Sequence, residues 1–213
     1  MEQKLLFLIN HEWTSPVLDR LMAVASSAAL WAVPLAVAVL ALLVWGGFKG
    51  RAFLAVVLVA LALNDGVVGN AIKHVVGRLR PHQSEVGVRQ LDLARPVWRG
   101  LFAPVKEKVS LGTGRDEEGR SFPSNHASNT AAVALLATLF WRRQGWLAFV
   151  PALVVAWSRI YTGAHWPLDV AAGICLGIGV ALLTFALAEW AWRRFGPRFS
   201  PRLAALHPSL LSA

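Results

Sequence analysis

The stretch of residues 158–169 places an arginine, a histidine and an aspartate in one short turn between two apolar segments. Charged groups are costly in a hydrocarbon environment, so this cluster indicates a site where something polar is bound or transformed. Asp169 lies four positions after His165 and can accept the N–H of one ring nitrogen, which leaves the other nitrogen free to attack. Arg159 presents a fork of donors that can hold the oxygens of a phosphoryl group.

A second polar cluster, Ser124-Asn125-His126, follows Pro123 where a long loop gives way to an apolar segment. Proline followed by serine and asparagine predicts the start of a helix. The free N–H groups at such a start bind anions, and His126 beside them can donate a proton to a leaving oxygen. For Ser124 and Asn125 the alternative is simple helix capping.

A third cluster contains Lys73 and Arg80, which are seven positions apart, or about two helical turns. Both side chains can therefore point in the same direction and clamp a dianion. Basic residues at the ends of membrane helices also extend to lipid headgroups, so this pair alone is a weak indication.

The composition places these clusters in a membrane protein. The chain has 213 residues, of which 56% are hydrophobic and 15% charged, and ten are tryptophan. Soluble domains carry about 25% charged residues. The net charge is +9, but the bases lie in short clusters between apolar runs and in one long loop. This pattern favours anionic lipid or a phosphorylated substrate over nucleic acid as a partner.

The apolar runs predict an all-α fold, a polytopic transmembrane helix bundle of about five spans plus an N-terminal interfacial helix, six helices in total. We expect the interfacial helix within residues 4–20. The expected spans are residues 28–45, 52–72, 124–141, 146–161 and 167–192. A single domain would cover residues 1–213, with 82–122 a long polar loop and 195–213 a flexible tail.

Two polar features of the sequence each allow two interpretations. Asp65 interrupts the second expected span and is either functional or the buried partner of another polar group. Trp98, Leu101 and Phe102 stand among bases in the long loop. They suit a segment lying on the headgroup layer, and a solvated loop of mixed charge is the alternative.

Counting spans brings the three clusters together. Alternate junctions of a membrane bundle fall on the same side, so the second-to-third and fourth-to-fifth junctions share one face. These two junctions carry nearly all the polar residues that would be unusual in a membrane. They are Lys73, Arg78, Arg80, Ser124, Asn125, His126, Arg159, His165 and Asp169.

Together the clusters resemble the three-part signature of the type 2 phosphatidic acid phosphatase family. The first part is Lys73, six residues and Arg80-Pro81; the second is Pro123-Ser124-Asn125-His126. The third is Ser158-Arg159, five residues, His165, three residues and Asp169. The family includes membrane lipid phosphatases, bacterial undecaprenyl diphosphate phosphatases, glucose-6-phosphatase and the soluble vanadium haloperoxidases. The signature spans residues 73–169, and the helical pattern extends the resemblance to most of the chain except the tail and the first twenty residues.

The resemblance implies catalytic roles for three residues. His165 would attack phosphorus and form a phosphohistidine, Asp169 would orient it, and His126 would protonate the leaving group. No metal or other cofactor is expected. The residues implied to bind the phosphoryl oxygens are Lys73, Arg80, Ser124 and Arg159.

Two residues of the signature differ from its commonest form or add to it. Asn125 stands where glycine is most common and where a backbone N–H usually contacts phosphate. Asparagine keeps that N–H and adds a side chain, which bears on leaving-group preference. Arg78 is an additional base within the first part, and it could assist a diphosphate or meet headgroups.

The sequence therefore predicts an integral membrane phosphatase that hydrolyses the terminal phosphate of a lipid phosphate or diphosphate, with undecaprenyl diphosphate favoured. Phosphatidylglycerol phosphate, phosphatidic acid and lipid A 1-phosphate are alternative substrates, and a lipid phosphotransferase is the nearest variant reaction. A non-catalytic lipid transporter, which would use the clusters as a headgroup site, is the alternative of another class. Five hydrophobic spans disfavour a soluble haloperoxidase.

The bases near the other span ends predict the orientation. Basic residues near span ends indicate the cytoplasmic side of a membrane. We therefore expect a multi-pass protein of the bacterial inner membrane whose site faces the periplasm or exterior. Its expected partners are the lipid substrate and membrane lipids, and the oligomeric state stays open. These bases are Lys49, Arg51, Arg142, Arg143, Arg193, Arg194, Arg198 and Arg202.

Overall fold

The computed structural model of the protein describes residues 1–114 and 120–212. This part of the chain is predominantly helical and has one two-stranded antiparallel ribbon, so the predicted all-α class is confirmed. The elements of the first half are α1 (Glu2–Phe7), a π-helical turn (Leu8–Glu12), α2 (Pro16–Ser26), α3 (Ala28–Trp45), α4 (Gly47–Leu61), a π-helical segment (Ala62–Gly69) and α5 (Asn70–Val76). They continue with α6 (Pro81–Ser84), β1 (Val86–Asp92), α7 (Val97–Gly100), β2 (Lys106–Leu111), α8 (Asn125–Phe140), a 3-10 turn (Gly145–Ala148), α9 (Phe149–Tyr161), α10 (Pro167–Phe199) and α11 (Pro201–Leu206).

Three stretches among the described residues are long and apolar enough to cross a membrane. They are α3, the stretch Gly47–Ser84 and α10, with mean hydropathy 2.4, 2.1 and 2.4. Every residue of α3 is at least partly exposed, as expected of a helix surrounded by lipid. The stretch Gly145–Tyr161 is a shorter apolar helix. The count of five spans remains a prediction.

Helix α8 lies at the centre of the bundle because its small residues allow close approach. Ala127 and Ala132 are fully buried. On the facing side of α10, a Cβ at Gly173 would stand 2.5 Å from the carbonyl oxygen of Ser124, and one at Gly177 would collide with the carbonyl of Ser128. Small residues four positions apart let two helix backbones come together in a membrane. This contact places the start of α8 beside the start of α10.

The second expected span is a regular helix only over part of its length. It becomes π-helical at residues 62–69, where a buried polar network joins it to α8. Asn64 accepts from Ser128 Oγ at 2.8 Å and also bonds Asn129, whose amide donates to Asp65 Oδ2 at 2.8 Å. Asp65 is thus the partner of another polar group. Its Oδ1 is buried and has no hydrogen-bond partner within the described ranges.

The long polar loop contains the β1–β2 ribbon, against which the N-terminal segment packs. Asn10 is fully buried and its amide donates to the carbonyls of Arg89 and Tyr161, at 2.9 and 2.7 Å. The Arg89 side chain pairs with Asp19 at 2.9 Å and with Glu107 at 2.6 Å. Hydrogen bonding to Glu107 is the main cause that raises the pKa of Arg89 above its usual value. Residues 4–20 therefore pack against the loop as well as forming helices.

The C-terminal segment differs from the expected flexible tail. Trp192 Nε1 donates to the carbonyl of His207 at 2.8 Å, and the rings of Phe48 and His207 stack at 4.3 Å. Leu210 is buried, and its N–H donates to Glu189 at 2.9 Å. The tail docks because α4 and α10 provide aromatic and acidic partners for it. These partners lie far away in the sequence, so the proline-rich tail alone did not predict the contact.

Candidate active site

Three hydrogen bonds join the clusters at one end of the bundle. Trp166 Nε1 donates to the carbonyl of Leu79 at 2.9 Å, which ties the α9–α10 turn to the segment after α5. The N–H of Ser121 donates to the carbonyl of Arg78 at 2.9 Å, and that of Ser124 to Asp169 at the same distance. The structure therefore places all three predicted clusters on the same side of the helix bundle.

His165 and Asp169 lie next to each other, but the expected hydrogen bond between them is not formed. His165 Nδ1 lies 3.7 Å from Asp169 Oδ2, beyond hydrogen-bonding distance. Asp169 is fully buried, and its Oδ2 accepts instead from Ser121 Oγ and from the N–H of Trp166, the latter at 2.9 Å. His165 Nδ1 is buried and lacks a partner among the described residues. The carboxylate of Asp169 is held by other donors. A small movement of the His165 ring would bring Nδ1 within hydrogen-bonding distance of Oδ2.

Burial sets the protonation state of His165. The side chain is 3% exposed, and this burial is the main cause that lowers the pKa of His165 to about 4. The positive charges of Arg159 and Arg80 act in the same direction, while Asp169 opposes them. The imidazole is therefore neutral at physiological pH, which is the form that can act as a nucleophile.

His126 occupies the first turn of α8 and lies within electrostatic range of four charged or titratable side chains. These are Arg159, His165, Arg80 and Lys73. Ser124, which precedes α8, is fully buried and caps the helix with its Oγ, which is 3.5 Å from the N–H of Ala127. The start of α8 thus points into the same space as the other two clusters.

Asn125 turns its side chain towards the π-helical segment of the second span. A Cβ at Gly69 would stand 3.2 Å from Asn125 Oδ1. The glycine therefore leaves the room that the larger residue of the middle motif needs. The backbone of Asn125 remains at the helix start, as predicted from the sequence.

Lys73, Arg80 and Arg159 form a group of cations that lack a salt bridge to any carboxylate within residues 1–114 and 120–212. Arg159 is 9% exposed, bonds Ser26 through Nη1, and has a buried Nε without a partner in the described structure. Lys73 and Arg80 repel each other, and Asp65 attracts Lys73. Clustered cations without a salt bridge among the described residues favour binding of an anion.

Sequence reasoning missed three contacts of the site. The guanidinium of Arg78 binds two carboxylates, because its Nη1 donates to Asp169 Oδ1 at 2.8 Å and its Nη2 to Glu2 at 2.7 Å. Ser121 bonds Asp169 across 48 positions of sequence. Only the basic character of Arg78 gave a signal in the sequence, and nothing local indicated Ser121 or Glu2.

The fold and the site together define a helical membrane protein with two histidines and a group of cations at one end. The profile of the PAP2 superfamily matches residues 53–193, a range that includes all three clusters. The chain belongs to the PAP2 superfamily.

Curated relatives match different shares of the chain. A putative undecaprenyl-diphosphatase of Escherichia coli K12 is 31% identical over 80% of this chain and 72% of its own length. A bacitracin transport permease protein of Bacillus licheniformis is 39% identical over 44% of this chain and 40% of its own. A lipid A 4'-phosphatase of Bacteroides thetaiotaomicron is 28% identical over 76% and 66%. The matches thus span from two fifths to under three quarters of these relatives.

The fold is shared with a solved structure. The crystal structure of Aquifex aeolicus LpxE aligns with a TM-score of 0.57 over 87% of this chain and 94% of that chain, at 21% identity. This likeness extends the shared architecture beyond the residues that carry the clusters.

Proposed function

We propose that the protein is an integral membrane phosphatase that removes the terminal phosphate of a lipid phosphate or diphosphate through a phosphohistidine intermediate. The observation that carries the proposal is the convergence of His165, Asp169 and His126 with three cations that form no salt bridge within the described residues. The names of the E. coli and Bacteroides relatives, a putative undecaprenyl-diphosphatase and a lipid A 4'-phosphatase, support a lipid-linked substrate.

The cations and the start of α8 bind the phosphate group of the substrate. Lys73, Arg80 and Arg159 take the charged phosphoryl oxygens, and the buried Ser124 hydroxyl adds a donor. The N–H of Asn125 at the helix start contributes as well, since this position favours anions. The same groups stabilise the charge that spreads over the equatorial oxygens during transfer.

His165 carries out the first chemical step. Its Nε2 forms a bond to phosphorus while the bond from phosphorus to the leaving oxygen breaks. His126, in the protonated form that the bound phosphate anion favours, gives its proton to that oxygen, so the lipid alcohol or lipid monophosphate departs. Asp169 orients the ring through Nδ1, and the open 3.7 Å contact shortens when the histidine becomes cationic on phosphorylation.

Hydrolysis returns the enzyme to its starting state. Water attacks phosphorus and loses a proton to His126, which left the first step as a neutral base. The bond between phosphorus and His165 breaks, and inorganic phosphate leaves. If a second lipid hydroxyl replaced water, the same site would act as a phosphotransferase.

Among substrates, undecaprenyl diphosphate is favoured, and the monophosphates named above remain alternatives. A lipid-anchored substrate suits a site at the end of apolar helices, because its headgroup lies at that level. The non-catalytic transporter is disfavoured because it has no use for a buried neutral His165 held beside an aspartate.

The site is proposed to face the periplasm or exterior of a bacterial inner membrane. The rings of Phe48 and Trp192 lie 5.0 Å apart, and those of Phe53 and Trp141 lie 4.8 Å apart. These contacts gather the α3–α4 turn, the end of α8 and the end of α10 at one end of the bundle. The bases at these turns favour a cytoplasmic location for that end.

Phosphate release by the purified protein in detergent tests the proposal. A panel of lipid phosphates and diphosphates should yield phosphate in the presence of a metal chelator, with the diphosphate fastest. His165→Ala should abolish turnover, and His126→Ala should lower kcat by about 10²–10⁴-fold. Normal turnover by His165→Ala, or release that the chelator stops, would contradict the mechanism.

A further inference from the structure

Arg78 joins three separate parts of the chain through one guanidinium group. Nη1 donates to Asp169 Oδ1 at 2.8 Å, Nη2 donates to Glu2 Oε2 at 2.7 Å, and the group lies 4.9 Å above the ring of Trp166. The backbone is fixed as well, because the carbonyl of Arg78 accepts from Ser121. The side chain is held in one orientation from both sides.

Glu2 holds the outer side of this arrangement. Its Oε2 accepts from Arg78, and its Oε1 accepts from the N–H of Leu168 at 2.9 Å. Leu168 lies in the first turn of α10, where backbone N–H groups lack partners within the helix. Helix α1 therefore caps α10 in the same turn that carries Asp169.

The charge of Arg78 is compensated, in contrast to that of the phosphate-binding cations. Arg78 pairs with two carboxylates, whereas Lys73, Arg80 and Arg159 form ion pairs with none that the structure describes. Both terminal nitrogens of this guanidinium already donate hydrogen bonds to carboxylates. Few donors therefore remain for an incoming diphosphate. Its interaction is with the carboxylate that faces His165.

We propose that Arg78 is a positioning residue of the reaction, which acts through Asp169 and is itself held by Glu2. The inference rests on the proposed function. Arg78 fixes Oδ1 of the carboxylate, so Oδ2 stays on the side of His165 Nδ1. When His165 takes the phosphoryl group its ring gains positive charge, and a fixed anion stabilises this state without reorganising. The benefit is therefore specific to the transition state and to the intermediate.

A kinetic double-mutant cycle tests the coupling, with lipid diphosphate hydrolysis by the full-length protein in detergent as the assay. Arg78→Gln should lower kcat about tenfold or more with KM changed less than about twofold, because it removes a charge-assisted bond to a buried carboxylate. In the Asp169→Asn background, Arg78→Gln should change kcat by less than about threefold. Arg78→Lys should recover part of the loss, since it keeps the charge.

Three results would overturn the proposal. They are an unchanged kcat in Arg78→Gln, a higher KM at normal kcat, and effects of Arg78→Gln and Asp169→Asn that multiply in the double variant. A wild type without turnover on the lipid panel would instead overturn the proposed function, and this inference with it.

Two further variants separate positioning from general stability. Glu2→Gln should lower kcat by a smaller factor than Arg78→Gln, and it should have no further effect once Arg78 is replaced. Arg89→Gln is the matched control, because Arg89 also pairs with two carboxylates, Asp19 and Glu107. It should leave kcat within about twofold, measured per folded protein from size-exclusion chromatography. An equal loss in Arg89→Gln would contradict a specific role for Arg78.

Discussion

At the scale of single residues, His165 combines burial with an aspartate held by other groups. Ser121, Trp166 and Arg78 fix the Asp169 carboxylate before any substrate arrives. The ring has no such partner at Nδ1 in the part of the chain that the structure describes. In the proposed mechanism, the site is thus prepared for the charge that His165 would gain during transfer, while the free imidazole stays neutral.

The pH dependence of kcat/KM should reflect this burial. The attacking histidine must be neutral, and its pKa is lowered to about 4, so the neutral form is present at every pH well above 4. Activity should therefore persist as the pH falls from 7 to about 5 and be lost as it falls through about 4. Initial rates are measured from about pH 3.5 to about pH 8, a range that includes both the lowered pKa of His165 of about 4 and the ordinary histidine value of about 6.5.

Recovery of activity after return to pH 7 controls for acid denaturation. An acid limb near 6.5, the ordinary value for histidine, would contradict the proposed environment of His165.

Whether a contact of the site could be predicted depends on how far apart its two residues lie in the sequence. The sequence predicted His165 with Asp169, and Ser124 with His126, because their spacing within one turn is visible locally. Ser121 and Glu2 could not be predicted in this way, since their partners are 48 and 76 or more positions away. Arg78 was visible as a base, but its function depends on which acids the fold brings to it.

At the scale of elements, close packing of α8 on α10 holds the middle and last motifs together. Gly173 and Gly177 face the backbone of α8, whereas a Cβ at Gly179 would point into open space. The register of this contact also sets the distance between Ser124 and Asp169, which are joined through their backbones.

Replacing Gly177 by alanine should therefore separate the two helices and lower both the melting temperature and kcat. The added methyl group would collide with the carbonyl of Ser128, a rigid backbone atom. Gly179→Ala on the same helix is the matched control. It should be neutral or stabilising by about 0.4–1 kcal/mol, because it restricts the unfolded chain without a clash.

Thermal unfolding in detergent and phosphate release measure both effects. Equal behaviour of the Gly177 and Gly179 variants would show that the close approach of α8 and α10 is not needed for the site.

Elements were predictable where one apolar run sets both ends. The expected span 28–45 coincides with α3, because no charged residue interrupts it and Ser27 and Gly46 flank it. The second span was not predictable in detail. Its π-helical segment accompanies the contacts of Asn64 and Asp65 with α8, which follow from tertiary packing. The β1–β2 ribbon in the polar loop was missed because its strands alternate only weakly between apolar and polar residues.

At the scale of the whole molecule, the protein has one end with the site and another end with aromatic contacts and basic turns. The β1–β2 ribbon and the N-terminal segment belong to the first end. The α3–α4 turn, the end of α8 and the docked C-terminal segment belong to the second. This division predicts which end reaches the exterior.

Cysteine labelling in intact cells should show that orientation. Cys175 is first replaced by serine, and a single cysteine is then placed at Lys108 in β2 or at Arg143 after α8, both exposed. A membrane-impermeant maleimide should label the Lys108→Cys protein in intact cells and the Arg143→Cys protein only after lysis. The reverse pattern would place the site in the cytoplasm.

The central claim is that His165 carries the phosphoryl group, and trapping the intermediate tests it most directly. Lipid diphosphate labelled with ³²P at the terminal phosphate is mixed with excess protein and quenched in alkali, where phosphohistidine is stable. Wild type should carry label on His165 by peptide mass spectrometry, and His165→Ala should carry none. Label on another residue, or phosphate release by His165→Ala at the wild-type rate, would contradict the account.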